Sequence, residues 1–279
     1  MKKTVKILSL LLFFIIWGCT EKIDLPLDTE PARLVVEGFV KSGYDRPVVY
    51  LSESTGYYFN TMPPAVTGAT VVLNNGSFNV YLNEISPGCY TTNDLYYGEP
   101  GKIYTLTIDL KTPIGGYSRF TSVSEMEHYT NLDSVVLTFY PDLGEKGLWE
   151  ARCWFPDYSG PDFYRFHLIR NSEPVTWKLS KWIITDDRFF DGKYVNGEPF
   201  TYLSQESENE RLEPGDTLDI ELHHISRAYY NFIQDAQSEL RGSDPLFSGP
   251  GANVRGNISN GAIGFFEAFP VSRYRLKVY

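Results

Sequence analysis

The chain has 279 residues, of which 42% are hydrophobic and 22% are charged, and this composition argues against a disordered protein because it supplies enough apolar side chains for a buried core. Its formal net charge of −10 argues against nucleic acid as a partner and against docking on anionic lipid through a basic patch, since both surfaces repel an acidic protein. The 20 Tyr and 18 Phe residues favour β-strands, where aromatic side chains pack well on a pleated surface.

The first 18 residues have the pattern of a bacterial signal peptide. A basic opening, MKKTVK, precedes an apolar run at residues 7–17 that is too short for a transmembrane helix, which needs about 20 residues. Gly18 and Cys19 follow, with Ile16 three positions before the cysteine, and this arrangement resembles the bacterial lipobox. We therefore expect cleavage after residue 18 and lipidation of the Cys19 thiol. The alternative is an ordinary secretory signal in which the cysteine has no role.

Removal of the signal leaves an acidic protein whose membrane attachment is covalent. Three lysines, Lys2, Lys3 and Lys6, are lost, so the net charge changes from −10 to −13. Acyl chains bury methylene groups at about 0.8 kcal/mol each, so a lipid anchor with two or three chains is stable. Residues 19–30 are polar, and we predict that they form a short tether.

Strand patterns in the first half predict an Ig-like β-sandwich over residues 31–125. Apolar residues alternate within short segments that recur about every 10 residues, with turns between them. Asn74-Asn75-Gly76 supplies the turn of a predicted hairpin, and Pro87-Gly88 supplies another turn. The predicted strand segments lie at residues 33–40, 48–52, 69–82 and 102–110.

A second β-rich domain is predicted for residues 126–279, so the fold class is mainly β. Alternation places Leu218, Ile220 and Leu222 toward its core. Residues 177–185 and 194–203 are interpreted as the arms of a hairpin whose tip is residues 186–192. Further strand segments lie at residues 133–140, 149–155, 163–169, 216–224, 264–269 and 274–279.

One amphipathic α-helix is predicted near residues 226–241. Ser226 can cap its N-terminus, and Arg241 and Gly242 suit its last turn and the residue after it. Because a single helix in a β-rich protein has to bury its apolar face, we expect that face to pack into the core rather than to bind a partner. The predicted apolar stripe consists of Ile225, Tyr229, Phe232, Ala236 and Leu240.

Two cysteines remain besides Cys19. Export permits a disulfide bond between Cys89 and Cys153, but the two fall in different predicted domains at a spacing that matches no motif. Two reduced, mostly buried thiols are therefore the favoured alternative. Neither cysteine has a neighbouring histidine in the sequence that would indicate a nucleophile.

A partial calcium-loop pattern occurs at residues 187–198. Asp187, Asp191, Gly192 and Glu198 occupy its first, fifth, sixth and twelfth positions. Phe189 stands where an oxygen ligand is required, and no helix is predicted on either side. We therefore expect a turn with solvated carboxylates and no metal site in this segment.

The four histidines do not form a zinc motif. His223 and His224 are neighbours on a predicted strand, so their side chains point to opposite faces of the sheet and one zinc ion would not bind both. His128 and His167 are isolated in the sequence. No metal and no cofactor are expected.

No catalytic residue is assigned. The sequence lacks the G-x-S-x-G and S-x-x-K motifs, a P-loop and a dinucleotide-binding glycine pattern, so a hydrolase is the weakest alternative. Glycan binding is a stronger alternative because exposed aromatic rings stack on sugars, although aromatic residues in strands are mostly buried. The candidate residues are Trp149, Trp154, Trp177 and Trp182.

Several segments together resemble domain-of-unknown-function family 4249, lipoproteins of Bacteroidota. They include LVVEGFV at residues 34–40, VTGATV at residues 66–71, YTLTI at residues 104–108 and GDTLDIELHHIS at residues 215–226. The most specific part is NVRGNISNGAIGFFEA at residues 253–268. The resemblance extends over nearly the whole mature chain.

The resemblance implies a lipid-anchored outer-membrane protein, on either the periplasmic or the cell-surface face, of a kind often encoded beside TonB-dependent receptors. It therefore implies a non-catalytic accessory or binding subunit in nutrient uptake, with a TonB-dependent outer-membrane receptor as partner. The ligand, a small molecule or a glycan, is left open. The family has no established activity, so no catalytic residue is carried over.

The closing segment of this resemblance is rich in glycine and asparagine. Gly256, Gly261 and Gly264 permit tight turns and close backbone approach, and Asn257 and Asn260 can bond to nearby backbone groups. We expect a loop that leads into a strand, with contact to a ligand or receptor as the alternative.

Overall fold

The structure is a computed structural model that describes residues 31–55, 62–240 and 254–279. The signal peptide, Cys19 and the tether lie outside these residues, so their roles stay predictions. A 3-10 turn lies at Leu179–Lys181. In chain order the strands and the helix are β1 (Leu34–Lys41), β2 (Gly43–Asp45), β3 (Val48–Glu53), β4 (Thr70–Asn74), β5 (Asn79–Ser86), β6 (Cys89–Thr91), β7 (Tyr96–Gly98), β8 (Ile103–Ile114), β9 (Tyr117–Glu125), β10 (Ser134–Tyr140), β11 (Leu148–Pro156), β12 (Phe163–Arg170), β13 (Glu173–Pro174), β14 (Ile183–Asp186), β15 (Tyr194–Ser204), β16 (Thr217–His224), α1 (Arg227–Leu240), β17 (Ile263–Phe269) and β18 (Val271–Lys277).

The predicted fold class is confirmed, because the described chain is mainly β with one α-helix in its C-terminal half. The first sheet has eight strands in the order β17, β1, β3, β6, β5, β4, β8, β9. Both predicted turns are confirmed. Asn74-Asn75-Gly76 joins the antiparallel pair β4 and β5, and Gly88 turns β5 into β6 with a positive φ of 73°.

The two ends of the eight-stranded sheet meet, which gives it a barrel-like curl. The backbone N–H of Ala268 on β17 donates to Ser124 Oγ on β9 at 2.9 Å, and Ser124 Oγ donates to Glu267 at 3.2 Å. β17 itself pairs in parallel with β1. The sheet of the first half is therefore completed by residues from the end of the chain, so β17 crosses the boundary predicted between residues 125 and 126. The described residues, from 31 to 279, form one compact unit.

The second half contributes a five-stranded sheet that positions the candidate site. The order of hydrogen-bonded strands along its main path is β13, β12, β16, β18. The fifth strand, β14, also pairs with β12, and β13 and β14 lie at opposite ends of that strand. Side chains alternate between its two faces. As predicted, Leu218, Ile220 and Leu222 of β16 face an apolar core, which they share with Phe166 and Leu168 of β12. The other face of the sheet carries charged side chains.

The hairpin predicted around residues 186–192 is wrong. β14 pairs with β12 of the five-stranded sheet, whereas β15 pairs with β11 in a three-stranded sheet of β10, β11 and β15. Two strands that follow each other closely in sequence thus belong to different sheets. The connecting turn is held by other contacts, including Gly192 N–H to Tyr158 carbonyl at 3.1 Å.

The predicted helix is confirmed, and Ser226 caps it by accepting the N–H of Tyr229 at 3.2 Å. Its buried face differs from the predicted stripe, because Leu240 is 63% exposed and Gln237 is buried instead. Gln237 Nε2 donates to the carbonyls of Leu179 and Trp182 at 2.9 and 2.8 Å. The helix therefore fixes the segment that carries Trp182. Arg241 and Gly242 lie outside the described residues. The buried residues of α1 are Tyr229, Tyr230, Ile233 and Gln237.

The closing segment forms the predicted loop into a strand. The side-chain amide of Asn257 bonds to the backbone of β17 in the way that the backbone of a neighbouring strand would. Its Nδ2 donates to the Phe266 carbonyl at 2.7 Å and its Oδ1 accepts the Phe266 N–H at 2.9 Å. Asn260 has a positive φ of 57° and donates to the carbonyl of Arg119 at 2.7 Å. Gly264 has a φ of 102° and lies against the backbone of Val36 on β1.

Substitution of Gly264 by alanine is expected to lower the free energy of unfolding by about 3 kcal/mol. A Cβ atom there would lie 1.9 Å from the carbonyl oxygen of Val36, in a backbone conformation that L-residues rarely adopt. Gly261→Ala is the matched control, because Gly261 has a φ of 70° but open space around it, and a loss of about 1 kcal/mol is expected. Urea denaturation measures both, and equal losses would contradict the role given to close packing.

Cys89 and Cys153 are free thiols in the structure, in agreement with the favoured alternative. Cys153 is buried, and burial raises its pKa to about 12, so it is a protonated thiol at neutral pH. Within the part of the chain that the structure describes, no helix has the length and apolar character needed to cross a bilayer.

Candidate functional site

A cluster of charged side chains forms on the outer face of the five-stranded sheet. Strand register places His167 of β12 opposite Glu221 of β16, and Arg165 opposite His223. Arg273 of β18 lies opposite Glu221 on its other side. Alternation brings all five side chains to one face, which the apolar pattern of these strands had not indicated.

Glu221 is the centre of what we call the Glu221 cluster, formed by His167, Glu221, His223 and Arg273. Glu221 Oε2 lies 3.0 Å from His223 Nε2 and 3.3 Å from His167 Nδ1, and Arg273 bonds to Oε1. Burial by itself raises the pKa of Glu221, but hydrogen bonds from His167 and His223 lower it well below its usual range overall. Glu221 is therefore an ionised carboxylate although its own side chain is buried.

His223 is fully buried in this cluster, and burial lowers its pKa to about 3, so the ring is neutral at neutral pH. An ionised carboxylate only accepts hydrogen bonds, so the ring hydrogen is on Nε2, which donates to Glu221. The other nitrogen, Nδ1, is buried without a hydrogen-bond partner. The ring stacks on Phe269, with the centroids 4.6 Å apart.

Glu221→Gln is expected to lower the free energy of unfolding by about 3 kcal/mol, because it removes a buried charge that several donors share. The amide keeps one oxygen acceptor and turns an NH2 group toward N–H donors. Asp219→Asn on the same strand is the matched control, since its partner Arg275 is 66% exposed, and a loss of about 1 kcal/mol is expected. Chemical denaturation at neutral pH compares them, and a larger loss in Asp219→Asn would contradict the central position of Glu221.

Arg165 stands beside the Glu221 cluster with an unusual environment for a guanidinium. The residue is only 7% exposed, and Nε is buried without a hydrogen-bond partner. None of its nitrogens donates a hydrogen bond to the residues that the structure describes. Its guanidinium carbon lies 3.8 Å from the ring centroid of Trp182, a cation–π contact. Burial lowers the pKa of Arg165.

A cavity of about 560 Å³ opens in front of Arg165, between the first sheet and the five-stranded sheet. We call it the Arg165 cavity. Trp177 is 78% exposed at this cavity and Tyr50 is 49% exposed, so two aromatic rings are accessible there. The lining residues are Glu37, Phe39, Lys41, Asp45, Arg46, Val48, Tyr50, Arg165, His167, Thr176, Trp177, Trp182, His223 and Phe269.

Glu37 lies on β1, on the side of the cavity that the first sheet provides. Its side chain can be reached by water from the cavity, but protein surrounds it on the other sides, and this burial raises its pKa. The charge of Arg165 acts in the opposite direction. A carboxyl group and a guanidinium that are not hydrogen-bonded to each other thus lie at one cavity.

Three groups in the described residues bring possible metal-ligand atoms within 4.8 Å of one another. The first is His167, Glu221 and His223. Arg273 already binds Glu221, and Arg165 lies next to His223, so these positive charges disfavour a divalent cation there. The cluster is better described as a hydrogen-bonded network that supports the cavity wall.

The second group, Glu127, His128 and His224, is held by direct contacts. His224 Nδ1 lies 3.0 Å from the carbonyl oxygen of His128, which can only accept, so Nδ1 carries a hydrogen. His224 Nε2 lies 3.0 Å from Asp162. His223 and His224 point to opposite faces, as predicted, whereas His128 and His167 each acquire a histidine neighbour that the sequence did not reveal.

The third group consists of Asp157, Asp187 and Asp191 and includes two residues of the partial calcium loop. Glu198 is not part of it, because it lies on β15 opposite Cys153. Asp187 is buried and accepts the N–H of Asp162 at 2.9 Å, so the expectation of solvated carboxylates is wrong for this residue.

The remaining carboxylates of this group also accept hydrogen bonds that fix loops. Asp157 accepts the hydroxyl of Tyr164 at 2.5 Å and the N–H of Gly192 at 2.9 Å. Asp191, which is exposed, accepts the N–H of Gly160 at 2.9 Å. These bonds account for the position of the carboxylates without a cation.

The four candidate tryptophans do not come together. Trp177 and Trp182 line the Arg165 cavity, whereas Trp149 and Trp154 lie on β11 in the three-stranded sheet. Trp154 Nε1 donates to Asn196 at 2.9 Å, and Trp149 packs against Phe139. A sugar site built from all four rings is therefore excluded by their positions.

Arg165, His167, Glu221 and Glu37 match no functional motif and were not predicted as a site. A signal was present, because Arg165 and His167 on β12 alternate with apolar residues. On β16 the residues Asp219, Glu221 and His223 alternate with apolar residues in the same way. Such a pattern predicts an exposed polar face as readily as a site. Only the strand register and the first sheet opposite show that this face is enclosed.

Comparison with known proteins gives one result that bears on identity. A family model described as Domain of unknown function (DUF4249) matches residues 20–275, which is nearly the whole chain. No curated protein matches the chain. The chain belongs to the DUF4249 family.

Proposed function

We propose that this chain is a lipid-anchored outer-membrane protein that binds a small molecule in the Arg165 cavity. In this proposal it acts as a non-catalytic accessory subunit in nutrient uptake, with a TonB-dependent transporter as its partner. The observation that carries the binding role is the cavity of about 560 Å³. It brings accessible aromatic rings beside a buried guanidinium that donates no hydrogen bond to the described residues. Small-molecule sites commonly combine apolar walls with a few such polar groups.

A binding role is favoured over catalysis by the way the titratable groups are used. The Glu221 carboxylate is shared by His167, His223 and Arg273, so its hydrogen-bonding capacity is directed to the protein itself. His223 is buried in the same network. Such a network makes the wall of the Arg165 cavity rigid and orients the side chains beside it.

The lipid anchor rests on the sequence around Cys19, and metabolic labelling tests it directly. Cells that express the chain and are fed a palmitate analogue should label the wild-type protein. The Cys19→Ser variant should remain unlabelled and keep its signal peptide or be released as a soluble protein. Labelling that survives in Cys19→Ser would contradict the anchor.

The transporter partnership is tested by purification from gently solubilised outer membranes. We expect an affinity-tagged wild-type protein to bring down a β-barrel receptor in near-equal amount, and the Cys19→Ser variant to bring down less because it is not held at the membrane. Recovery of the wild-type protein alone under these conditions would contradict the partnership.

Glycan binding is the second candidate, favoured by the position of Trp177, whose ring is 78% exposed at the Arg165 cavity. Aromatic faces of this kind can pack against sugar rings. A glycan array should then show ligands that are lost in Trp177→Ala and retained in Trp154→Ala, because Trp154 lies on β11 outside the cavity. Ligands that bind both variants equally would remove this version.

A further inference from the structure

We propose that Arg165 is the receptor for an anionic group, a carboxylate or a phosphate, on a small molecule whose ring packs on Trp177 in the Arg165 cavity. This inference rests on the proposed binding function and names the chemical class of its ligand.

Arg165 has hydrogen-bonding capacity that the described residues do not use. A guanidinium has five N–H donors, and a buried charge normally has a bonded partner because its removal from water is costly. Arg165 is 7% exposed, and no residue in the described part of the chain accepts a hydrogen bond from it. Carboxylates and phosphates match the planar fork of a guanidinium with two parallel hydrogen bonds.

The guanidinium of Arg165 is held in place by a contact that does not use its N–H donors. Trp182 stacks against it, with the guanidinium carbon 3.8 Å from the ring centroid. Trp182 is itself fixed by the hydrogen bond that its carbonyl accepts from Gln237 on α1 at 2.8 Å. The donors of Arg165 are thus preorganised beside the cavity, which lowers the entropy lost when an anion binds.

Positive charge predominates around the Arg165 cavity. Lys41 and Arg46 line it together with Arg165. Lys41 Nζ lies 3.6 Å from Asp45, and the Arg46 guanidinium donates only to the carbonyl of Asn93 in the described residues. When Lys41 and Asp45 are counted as a pair, two cations remain at the cavity, Arg46 and Arg165. They face one carboxyl group, Glu37, which forms no salt bridge with the described residues.

The remaining lining determines the rest of the ligand. Trp177 and Tyr50 present accessible rings, so the anionic group belongs to a molecule with a ring or a flat apolar part. Glu37 and the second ring nitrogen of His167, Nε2, can form hydrogen bonds with hydroxyl groups of such a ring. An acidic sugar or a sugar phosphate satisfies these conditions.

The test compares three probes that share one ring: glucose, glucuronate and glucose 6-phosphate. Isothermal titration against the wild-type protein should show at least one of the two anions binding about tenfold or more tightly than glucose. Which anion binds more tightly distinguishes a carboxylate from a phosphate ligand. The preference should disappear in Arg165→Met and persist in Arg119→Met, which removes an exposed arginine that pairs with Asp109 on another part of the first sheet.

Three results would overturn the inference: glucose binding as tightly as both anions, an anion preference that survives in Arg165→Met, or no binding of either anion. If glucose binds as tightly as both anions and this binding is lost in Trp177→Ala, the anion receptor is ruled out while the proposed binding function is supported. The thermal unfolding of Arg165→Met, measured alongside, confirms that a loss of binding occurs in a folded protein.

Discussion

Substitution of Arg165 by methionine is expected to raise the free energy of unfolding of the ligand-free protein by about 2 kcal/mol. A buried charge without a bonded partner destabilises a fold, and a methionine of similar length can fill the same space against Trp182. The substitution does not leave the nearby carboxylates as unpaired buried charges. Glu221 keeps its bonds to His167, His223 and Arg273, and Glu37 has a raised pKa that lets it accept a proton.

Arg273→Met provides the matched control, because it removes an arginine from the same face of the same sheet. Arg273 bonds to Glu221, so its loss should lower the free energy of unfolding, by about 3 kcal/mol. Urea denaturation of both variants at neutral pH measures the contrast. If Arg165→Met destabilises the protein as much as Arg273→Met, then Arg165 has a structural partner and the reasoning about its unused donors is wrong.

Glu267→Gln is expected to stabilise the protein above neutral pH, by up to about 5 kcal/mol at pH 9, and to leave its stability unchanged near pH 4. Glu267 lies on β17, is 1% exposed and accepts hydrogen bonds from the backbone N–H of Ser226 at 2.7 Å and from its hydroxyl at 3.0 Å. Burial raises its pKa from 4.5 to about 8.

The direction of this effect follows from which state binds the proton more tightly. Below pH 4.5 the carboxyl is protonated in both the folded and the unfolded chain, so it adds no pH dependence. Between 4.5 and about 8 the unfolded chain releases the proton while the folded chain retains it, so stability falls as the pH rises. A glutamine cannot ionise, yet it can still accept the Ser226 N–H and donate to a serine hydroxyl, so it removes this loss.

The measurement is the difference in free energy of unfolding between Glu267→Gln and the wild-type protein across this pH range. Subtraction removes the contribution of every other group, including nearby Glu127, provided that those groups titrate alike in both proteins. Glu173→Gln is the control, since Glu173 is exposed on β13 and should change little at any pH. A difference that stays constant between pH 4 and pH 9 would show that burial does not raise the pKa of Glu267.

Much of the fold was predictable because it depends on local patterns. Period-two alternation placed Leu218, Ile220 and Leu222 on the buried face of β16, and Asn74-Asn75-Gly76 marked the turn between β4 and β5. Ser226 marked the start of α1. Each of these signals acts within a few residues of sequence, so no knowledge of the sheets was needed.

The errors have a common physical cause, which is that strand partners are chosen by long-range packing. β14 and β15 are adjacent in sequence but pair with β12 and β11 in different sheets. β17 pairs in parallel with β1, more than 200 residues earlier in the chain. The stripe predicted for α1 failed at Leu240 for a similar reason, since the Leu179 and Trp182 carbonyls select Gln237 for burial.

The candidate site could not be derived from the sequence because its residues come from distant parts of the chain. Glu37 and Arg165 come from different sheets, and Trp177 comes from the segment that precedes the 3-10 turn. His167 looked isolated, yet the register of β12 and β16 places it opposite Glu221. A residue-by-residue search for motifs finds nothing here, since the chemistry depends on which strands become neighbours.

The central claim, that an anion binds Arg165 inside the cavity, is tested most directly by a crystal structure of the protein with glucuronate or glucose 6-phosphate. We expect carboxylate or phosphate oxygens within hydrogen-bond distance of the Arg165 guanidinium, with the sugar ring against Trp177. A structure in which the anion binds elsewhere, or in which the Arg165 guanidinium is bonded to Glu37 and the cavity is closed, would contradict the claim.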